Sequence, residues 1–264
     1  MSFAHVDQLY AAMAAAGASA DARHKAGIVL GTALRHAVRG RMLIANPVSD
    51  MPKPKPVRKE IRPLDLEQVT RLLSAARTDR LYALYVMALD SGMRQGELFG
   101  LQWEDFDWTG ATVQVRHSLE EIKGKLRLKD VKTKHGRRRI KLAASTLDAL
   151  HEHRKAQLAA GLVGNRVFCD TDGGWLRKSN TMRRSFSPLV KRAGVPPIRF
   201  HDLRHTTATL LLLANVNPKI VSERLGHSKI QVTLDTYSHL LPTMQDGAAE
   251  QLERLLHGQK VAIA

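Results

Sequence analysis

Apolar residues recur at every third or fourth position over most of the 264-residue chain, which is the spacing of one face of an α-helix. This pattern predicts a mainly helical protein. The predicted helices lie at 5–17, 22–42, 80–90, 94–101, 145–159, 178–193, 203–214, 218–225 and 230–239. A last amphipathic stripe follows, formed by Leu241, Met244, Ala248, Leu252, Leu255 and Leu256.

Polar and proline signals mark the starts of two predicted helices. Asp65 opens one of them, and Gln68 follows three residues later, which is the spacing of a capping box. The residues expected on the inner face of this helix are Leu66, Val69, Leu72 and Leu73. Pro218 lies at the first position of the helix at 218–225, where its missing N–H would have no partner in any case.

Between 111 and 142 the pattern changes to an alternation typical of strands. Strands are predicted at 112–116, 125–128 and 138–142, with Gly124 and Gly136 near the turns. We expect these strands to form one small antiparallel sheet. The predicted fold class is therefore mainly α, of α+β character, with a three-stranded antiparallel sheet on one side of a helical domain.

Residues 47–63 form the expected domain boundary. Five prolines forbid a helix in this stretch and interrupt any strand ladder, while lysines and arginines keep it in water. A basic, extended linker would also suit a phosphate backbone, although a simple spacer fits equally well. The chain is thus predicted to hold a helical segment at 1–46, a linker at 47–63 and a larger domain at 64–264.

The charge of the chain indicates a nucleic-acid partner. The formal net charge is +16 and the isoelectric point is near 10.3, so a polyanion is the expected partner. A membrane is not expected, because no basic amphipathic helix stands alone at either end and no apolar run reaches the roughly 18 residues of a membrane span. Hydrophobic residues make up 44% of the chain, which permits a folded core.

Cysteine usage bears on the cellular compartment. Cys169 is the one cysteine of the chain, so no disulfide can form within it, and this fits a reducing cytoplasm. It follows the apolar pair Val167 and Phe168 and is expected to pack in a core. The N-terminus lacks the charged and then apolar pattern of a signal peptide. A cytoplasmic protein is therefore predicted.

A series of polar motifs stands out in order along the chain. Arg94 lies in the run SGMRQGEL at 91–98, directly after an apolar helix, and Lys132 lies in the basic run VKTK at 131–134. The stretch 198–240 then holds a His-x-x-Arg, a Leu-Gly-His and a tyrosine in a polar setting. The ordered set is Arg94, Lys132, His201, Arg204, His227 and Tyr237.

In this order the residues resemble the catalytic set of the tyrosine recombinase family, the phage-integrase type of site-specific recombinase, over about residues 25–240. A protein tyrosine that takes over a phosphodiester conserves the energy of the bond, because another DNA hydroxyl can attack the covalent intermediate later. Two arginines can hold the phosphoryl oxygens with paired hydrogen bonds. The resemblance implies that Tyr237 is the nucleophile of a 3′-phosphotyrosyl link, and that Arg94 and Arg204 bind the non-bridging oxygens.

The resemblance implies roles for the other members of the set as well. His201 would lie by the tyrosine as a hydrogen-bonding partner or base, His227 would contact the phosphate, and Lys132 would protonate the leaving 5′ oxygen. Glu97, one helical turn from Arg94, would be the supporting acidic residue that orients the site. Other lysines are close to Lys132 and strand register decides which one points inward: Lys129, Lys134 and Lys141. No metal or other cofactor is expected, because the arginines supply the positive charge.

The start of the chain resembles only part of the family's DNA-binding half. The stretch 34–48 is similar to the last helix of the core-binding domain, but about half of that domain fits into 1–46. We therefore expect a reduced helical core-binding segment before the catalytic domain. The candidate DNA contacts are basic residues of this helix, the linker and the hairpin: Arg35, Arg39, Lys53, Lys55, Lys134, Arg137 and Arg138.

Two further clusters suggest other chemistry but have structural explanations. A metal-dependent nuclease would use carboxylates, and three follow Trp103 closely: Glu104, Asp105 and Asp107. The same stretch matches the family's structural Leu-x-Trp-x-Asp, in which the carboxylates cap a turn. His151 and His153 are two residues apart on a helix and so face different sides, which argues against a zinc site.

The function implied by the resemblance is site-specific recombination or integration of double-stranded DNA. In the family this reaction uses a homotetramer on two DNA sites, so a bacterial or phage-type protein that associates with the nucleoid on DNA is expected. A directionality factor or a host DNA-bending protein is left open as a further partner. Two alternatives remain: a DNA-binding protein without productive recombination, and a type IB topoisomerase-like enzyme. The stripe at 241–256 would pack on its own domain or on a neighbouring protomer.

Overall fold

The computed structural model describes residues 3–49, 54, 62–131, 136–237 and 256. The chain divides into two compact units, Met1–Glu60 and Ile61–Ala264. Four of the basic residues named above lie outside the described residues: Lys53, Lys55, Lys132 and Lys134. The predicted linker lies largely outside them too, as does the apolar stripe apart from Leu256.

The first unit holds the two predicted helices, α1 at Phe3–Ala15 and α2 at Ala20–Arg39. The hydroxyl of Ser19 caps the first turn of α2. A small apolar cluster joins the helices and consists of Val6, Tyr10, Leu34 and Val48, with Leu30 and Leu43 against it. Arg35 and Arg39 lie on the exposed side of α2, so the position predicted for DNA contacts is open to a partner.

The second unit is mainly helical, as predicted. Its helices are α3 Leu66–Ala76, α4 Tyr82–Ser91, α5 Gln95–Phe99, α6 Ala144–Ala159, α7 Lys178–Thr181, α8 Ser187–Arg192, α9 Asp202–Leu213, α10 Pro218–Leu225 and α11 Ile230–Tyr237. The helix predicted at 178–193 is divided, because a π-helical turn at Met182–Phe186 joins α7 to α8. None of the helices in the described part of the chain is long and apolar enough to cross a bilayer.

The predicted helix starts are confirmed. The Asp65 carboxylate accepts a hydrogen bond from the Gln68 N–H at 2.7 Å, and the Gln68 side chain accepts one from the Asp65 N–H at 3.1 Å. Pro218 stands at the start of α10. Leu66 was wrongly expected on the inner face of α3: it stands in the first turn between exposed Asp65 and Glu67, and it is 69% exposed.

The strands pair differently from the prediction of one three-stranded sheet. β1 (Phe106–Asp107), β2 (Thr112–Val115) and β5 (Arg138–Lys141) form an antiparallel sheet in the order β1-β2-β5. β3 (His117–Ile122) and β4 (Lys125–Asp130) form a separate two-stranded ribbon. The stretch predicted at 125–128 therefore pairs with β3, which the alternation missed because its sequence, HSLEEI, is mostly polar.

The core of the second unit is built around α4. This helix reads YALYVMALDS and is buried on nearly all sides, as expected for a helix without a polar stripe. Its Tyr85 ring packs in a cluster with three rings from other segments, Phe99, Phe186 and Phe200, in which neighbouring ring centroids are 5.3–6.4 Å apart. The Thr207 hydroxyl of α9 donates to the Leu89 carbonyl of α4 at 2.7 Å, so the two helices lie side by side.

The end of α4 brings the chain close to α10. Gly92 terminates the helix with φ of +62°, in the left-handed region that glycine adopts without a steric penalty. A Cβ at this position would lie 2.6 Å from Cδ2 of Leu225. Both the conformation and the space therefore require glycine two residues before Arg94.

Gly92→Ala is expected to destabilise the second unit by about 2–5 kcal/mol, because it adds both backbone strain and a clash. Urea unfolding followed by tryptophan emission measures this unit alone, since its three tryptophans are Trp103, Trp108 and Trp175. Gly124→Ala is the matched control: it has φ of +74° but no heavy atom within 4 Å of the added Cβ, so it should cost only about 1–2 kcal/mol. Equal losses for the two variants would show that the Leu225 contact does not matter.

Candidate active site

Three arginines meet at the C-terminal end of α10. The last carbonyls of a helix lack partners within it and carry the negative end of its dipole, so they attract cations. Here three consecutive carbonyls each accept one hydrogen bond: Arg224 O from Arg138 Nε at 2.6 Å, Leu225 O from Arg204 Nη1 at 2.7 Å, and Gly226 O from Arg94 Nη2 at 3.1 Å. We call this group of acceptors the carbonyl row.

Arg204 is the most buried of the described catalytic candidates that carry a charge. It lies in the first turn of α9, is 4% exposed, and also donates from Nη1 to the Gly92 carbonyl at 2.7 Å. Its Nη2 is buried with no hydrogen-bond partner among the described residues. Burial, followed by the charge of Arg94, lowers the pKa of Arg204 to about 9, so it stays charged at neutral pH. A buried cation with a free donor is suited to an incoming anion.

Arg94 is held from the opposite side by Glu97. The guanidinium of Arg94 donates to Glu97 Oε1 at 2.9 Å, and its backbone N–H donates to Oε2 at 2.9 Å. The Arg94 side chain nevertheless remains 44% exposed, so it can meet a partner from solution. Glu97, the expected supporting residue one turn from Arg94, is therefore a direct hydrogen-bond partner of Arg94.

Glu97 is a buried carboxylate with a second cation. It is 3% exposed, and Arg138 donates to its Oε1 at 3.2 Å and to its Oε2 at 2.8 Å. Burial alone would raise the pKa of Glu97, but the hydrogen bonds and charges of Arg138 and Arg94 outweigh it and hold the pKa below its usual value. Glu97 is therefore ionised and shared between two arginines.

The histidine next to the tyrosine is His205, which the sequence analysis did not single out. Nδ1 of His205 lies 2.7 Å from the Oη of Tyr237. His201 was expected in this position, but it lies one turn earlier at the exposed start of α9, with its ring 5.0 Å from the ring of His205. The expectation is corrected because α11 meets α9 at the level of His205. Burial, followed by the charge of neighbouring groups, lowers the pKa values of both histidines, to about 4 for His205.

Tyr237 ends α11 and packs into a small cluster of α9 and α10 side chains. The tyrosine is 2% exposed, and its neighbours in the cluster are Ala208, Leu212, Val221 and Leu225. Burial raises the pKa of Tyr237 to about 12, although the charge of Arg204 works in the other direction. The phenol is therefore protonated at neutral pH, with its oxygen on a histidine.

His227 follows the carbonyl row directly. Its Nδ1 lies 2.8 Å from the hydroxyl of Thr233, a buried residue of α11. Burial, followed by the charges of Arg204 and Arg94, lowers the pKa of His227 to about 4. A neutral ring bound through one nitrogen keeps the other nitrogen for a further hydrogen bond.

Arg137 and Arg138, two of the predicted DNA contacts of the hairpin, differ in their exposure to solvent. Arg137 is exposed and pairs weakly with Asp130 at 3.8 Å, so a phosphate contact remains open to it. Arg138 is only 8% exposed, and its donors are taken by Glu97 and by backbone carbonyls. The expectation that Arg138 contacts DNA is corrected: strand alternation places it on the inner face of β5 together with Ile140.

The other two clusters have the structural roles expected of them. Asp105 accepts from the Gln102 N–H at 2.9 Å and Asp107 from the Gly110 N–H at 2.8 Å, so both cap turns. His153 is buried with Nε2 2.7 Å from the Val167 carbonyl, whereas His151 packs on the Trp108 ring. The two histidines thus face different surroundings.

The sequence of the second unit matches a known family. The sequence model of the phage integrase family matches residues 62–244, which is more than half of the chain. The chain belongs to the phage integrase family. The resemblance drawn from the order of His-x-x-Arg, Leu-Gly-His and tyrosine is thereby confirmed.

Relatives of this family member support the same placement. A tyrosine recombinase XerC-like protein of Caldanaerobacter subterraneus subsp. tengcongensis is 34% identical over 218 residues, covering 75% of this chain and 56% of the relative. The ICEBs1 integrase of Bacillus subtilis is 29% identical over 227 residues, covering 83% and 62% respectively. The chain therefore spans less than two thirds of the length of these relatives.

Solved structures of the family share the fold of this chain. The Tn1549 transposon integrase, solved in complex with transposon right end DNA, superposes with a TM-score of 0.81 at 25% identity. The match covers 97% of this chain and 86% of that one. The predicted fold class, mainly α with a helical tyrosine-recombinase domain, is confirmed by this likeness and by the helices described above, while the strands form two small antiparallel sheets rather than the single one predicted.

His205 and Arg224 belong to this integrase-family site although the sequence motifs did not point to them, and Arg138 belongs to it although a DNA contact was predicted for it. His205 lies four residues after His201, which places both rings on one face of a helix. Arg138 lies two residues before Ile140, and that spacing in a strand puts both on one face. Nothing local marks Arg224, whose side chain binds the Asp90 carboxylate at 2.8 Å.

The low pKa of His205 predicts an acid sensitivity of the folded state. The ring has a pKa of about 4 when folded, against an ordinary value of 6.5, so between these values the unfolded chain binds the proton more readily. Stability should therefore be complete above pH 6.5 and fall as the pH is lowered towards 4. His205→Gln should make the urea midpoint fall less steeply as the pH is lowered through this window. The urea midpoint of the variant at pH 8 measures the effect of altered packing alone and serves as the reference. An unchanged slope would contradict the shift.

Proposed function

We propose that this chain cuts and rejoins DNA strands at specific sites, using Tyr237 as the nucleophile that forms a 3′-phosphotyrosyl intermediate. The observation that carries the proposal is the meeting of Arg94, Arg204, His227 and Tyr237 around one helix end in a chain of the phage integrase family. These residues are separated by as many as 143 positions in sequence, and the fold brings them together.

The arginines supply the charge that the reaction needs. In-line attack on a phosphodiester develops negative charge on the two non-bridging oxygens. Arg204 brings a buried Nη2 without a partner among the described residues, and Arg94 brings a side chain that is 44% exposed. Both are fixed by the carbonyl row before DNA arrives, and donors fixed in advance cost no reorganisation during the reaction.

His205 is the proposed acceptor for the phenolic proton. The phenol of Tyr237 must lose its proton as Oη bonds to phosphorus, and its pKa of about 12 means that water is a poor acceptor at neutral pH. A pKa of about 4 keeps His205 neutral at that pH. With its own proton on Nε2, the ring accepts from Oη through Nδ1, 2.7 Å away.

The leaving 5′ oxygen requires a proton in the same step. The resemblance assigns this to Lys132, which lies outside the described residues. In the reverse step a DNA 5′ hydroxyl attacks the phosphotyrosine, the phenol leaves, and the strand is rejoined. The role of Lys132 as the proton donor remains part of the proposal.

Duplex DNA is the proposed partner, and a homotetramer on two DNA sites is the proposed assembly. The net charge of +16 and the exposed Arg35, Arg39 and Arg137 support a phosphate-binding surface. The Tn1549 relative was solved in complex with DNA. We place the protein in the cytoplasm, where its single cysteine would stay reduced.

Tyr237→Phe is expected to bind DNA as the wild type does and to form no covalent adduct, because it lacks the attacking oxygen. The substrate is a set of nicked duplexes from either side of the protein's own gene, on which a cleaved end diffuses away and traps the intermediate. Denaturing gels measure the adduct, and mobility shifts measure binding. An adduct that persists in Tyr237→Phe would refute the assignment of the nucleophile. Binding with steep salt dependence and no adduct in the wild type would favour a DNA-binding protein.

Arg204→Lys should lower the rate of adduct formation by about 100-fold or more, since a lysine cannot reproduce the fixed donors. Lysine is preferable to alanine here, because the Arg204 side chain also bonds to Gly92 and Leu225 and its removal would disturb the fold. Arg199→Lys is the matched control, since Arg199 is exposed and pairs with Asp202 outside the carbonyl row. Similar rates for both variants would argue against a phosphate clamp at Arg204.

A further inference from the structure

Arg138 is a buried cation whose partners belong to the site rather than to solvent. Strand β5 turns Arg138 and Ile140 inwards and Arg139 outwards. Its guanidinium forms a paired contact with Glu97 at 2.8 Å and 3.2 Å, and Nε donates to the carbonyl row at 2.6 Å. A phosphate on the protein surface could not displace these contacts without exposing a buried carboxylate.

Arg138 and Arg94 hold the same carboxylate from two sides. Each Glu97 oxygen accepts two hydrogen bonds: Oε1 from the side chains of Arg94 and Arg138, and Oε2 from Arg138 and the Arg94 backbone. The carboxylate therefore has no freedom to turn. Arg94 depends on it, because Glu97 and the Gly226 carbonyl are the hydrogen-bond partners of its guanidinium among the described residues.

The strand that carries Arg138 is itself tied to α10. The Arg224 side chain donates to the Lys141 carbonyl at the end of β5 at 2.9 Å, and to the Asp90 carbonyl near the end of α4 at 2.8 Å. The Arg224 backbone carbonyl meanwhile accepts from Arg138. This residue thus fixes both the strand and the acceptor to which Arg138 binds.

We propose that Arg138 is a positioning residue of the strand-cleavage site, which holds Glu97 so that Glu97 in turn holds Arg94 at the phosphate. The inference rests on the proposed function and deepens it. Arg138, for which a DNA contact was predicted, then acts through the side chains of Glu97 and Arg94 instead.

A pH dependence follows from the groups that face Glu97. These are Arg94 and Arg138, and both favour the ionised carboxylate, whereas burial opposes it. Removing Arg138 leaves burial opposed by one cation only, so the pKa of Glu97 must rise. A protonated Glu97 would no longer hold Arg94 through both oxygens, and cleavage should fail on the acid side at a higher pH than in the wild type.

The test measures the single-turnover rate of Tyr237-dependent adduct formation on the nicked duplexes as a function of pH. Arg138→Met should lower the rate by about 100-fold and move the acid-side loss of activity to higher pH. Arg139→Met removes the same charge from the exposed face of the strand. Its rate of adduct formation therefore shows how much is lost through weaker attraction to DNA alone. Arg138→Lys, which keeps the charge without the paired geometry, should lie between the wild type and Arg138→Met.

Glu97→Gln separates positioning from folding. The single variant Glu97→Gln should form the adduct slowly. Its loss of activity at acid pH should not move to higher pH, because the glutamine amide cannot titrate. The double variant Arg138→Met/Glu97→Gln removes the buried charge that Arg138→Met leaves with Arg94 as its one cation, so it should restore the thermal midpoint without restoring the rate. If Arg138→Met does not fold, this double variant and Arg138→Lys decide the question.

The outcomes distinguish the inference from the function on which it rests. A wild type that forms no adduct on any duplex overturns the proposed function and the inference with it. A wild type that forms the adduct, with Arg138→Met matching Arg139→Met in rate and pH profile, overturns the inference alone. A shifted acid-side loss that disappears in the double variant supports it.

Discussion

The gathering of like charges at one helix end is the interaction on which the rest of the site depends. Three guanidinium groups lie on three consecutive carbonyls of α10, and Glu97 is the carboxylate that two of them share. Guanidinium groups placed together repel, which is why the charge of Arg94 adds to burial in lowering the pKa of Arg204. The carbonyl row and Glu97 offset only part of this repulsion. A phosphate bound as proposed would offset more of this repulsion, so the same arrangement suits an anionic ligand.

The proposed nucleophile has the opposite surroundings. Tyr237 lies in an apolar cluster of α9 and α10, where burial makes its phenol a weaker acid than in water. Its contact with His205 and the nearby charge of Arg204 are the features that favour loss of the proton. Because α9 carries both Arg204 and His205, and α10 carries the carbonyl row and part of the cluster around the ring, this pair of helices positions the cation, the proposed proton acceptor and the tyrosine.

The small sheets determine which cations face inwards. In β5 the residues at 138 and 140 point to the core and those at 139 and 141 to solvent. Neighbouring residues of the strand face opposite sides of the sheet, so the two adjacent arginines have different surroundings: Arg138 pairs with Glu97, while Arg139 is exposed. A slip of one residue in the pairing of β2 with β5 would exchange these positions and leave Glu97 without its second cation.

The sequence by itself determined the helical class, most helix starts and the family, because caps, helical spacing and ordered motifs are signals that nearby residues carry. The Asp65–Gln68 capping box, Pro218 and the His-x-x-Arg motif are examples. The tertiary structure decided which strand pairs with which, that His205 rather than His201 meets the tyrosine, and that Arg138 is buried. These outcomes depend on partners far away along the chain: Glu97 and Arg138 are 41 residues apart, and Arg204 and Gly92 are 112 apart. A local pattern can show that a residue is charged, but the elements packed against it decide whether that charge faces DNA or holds another side chain.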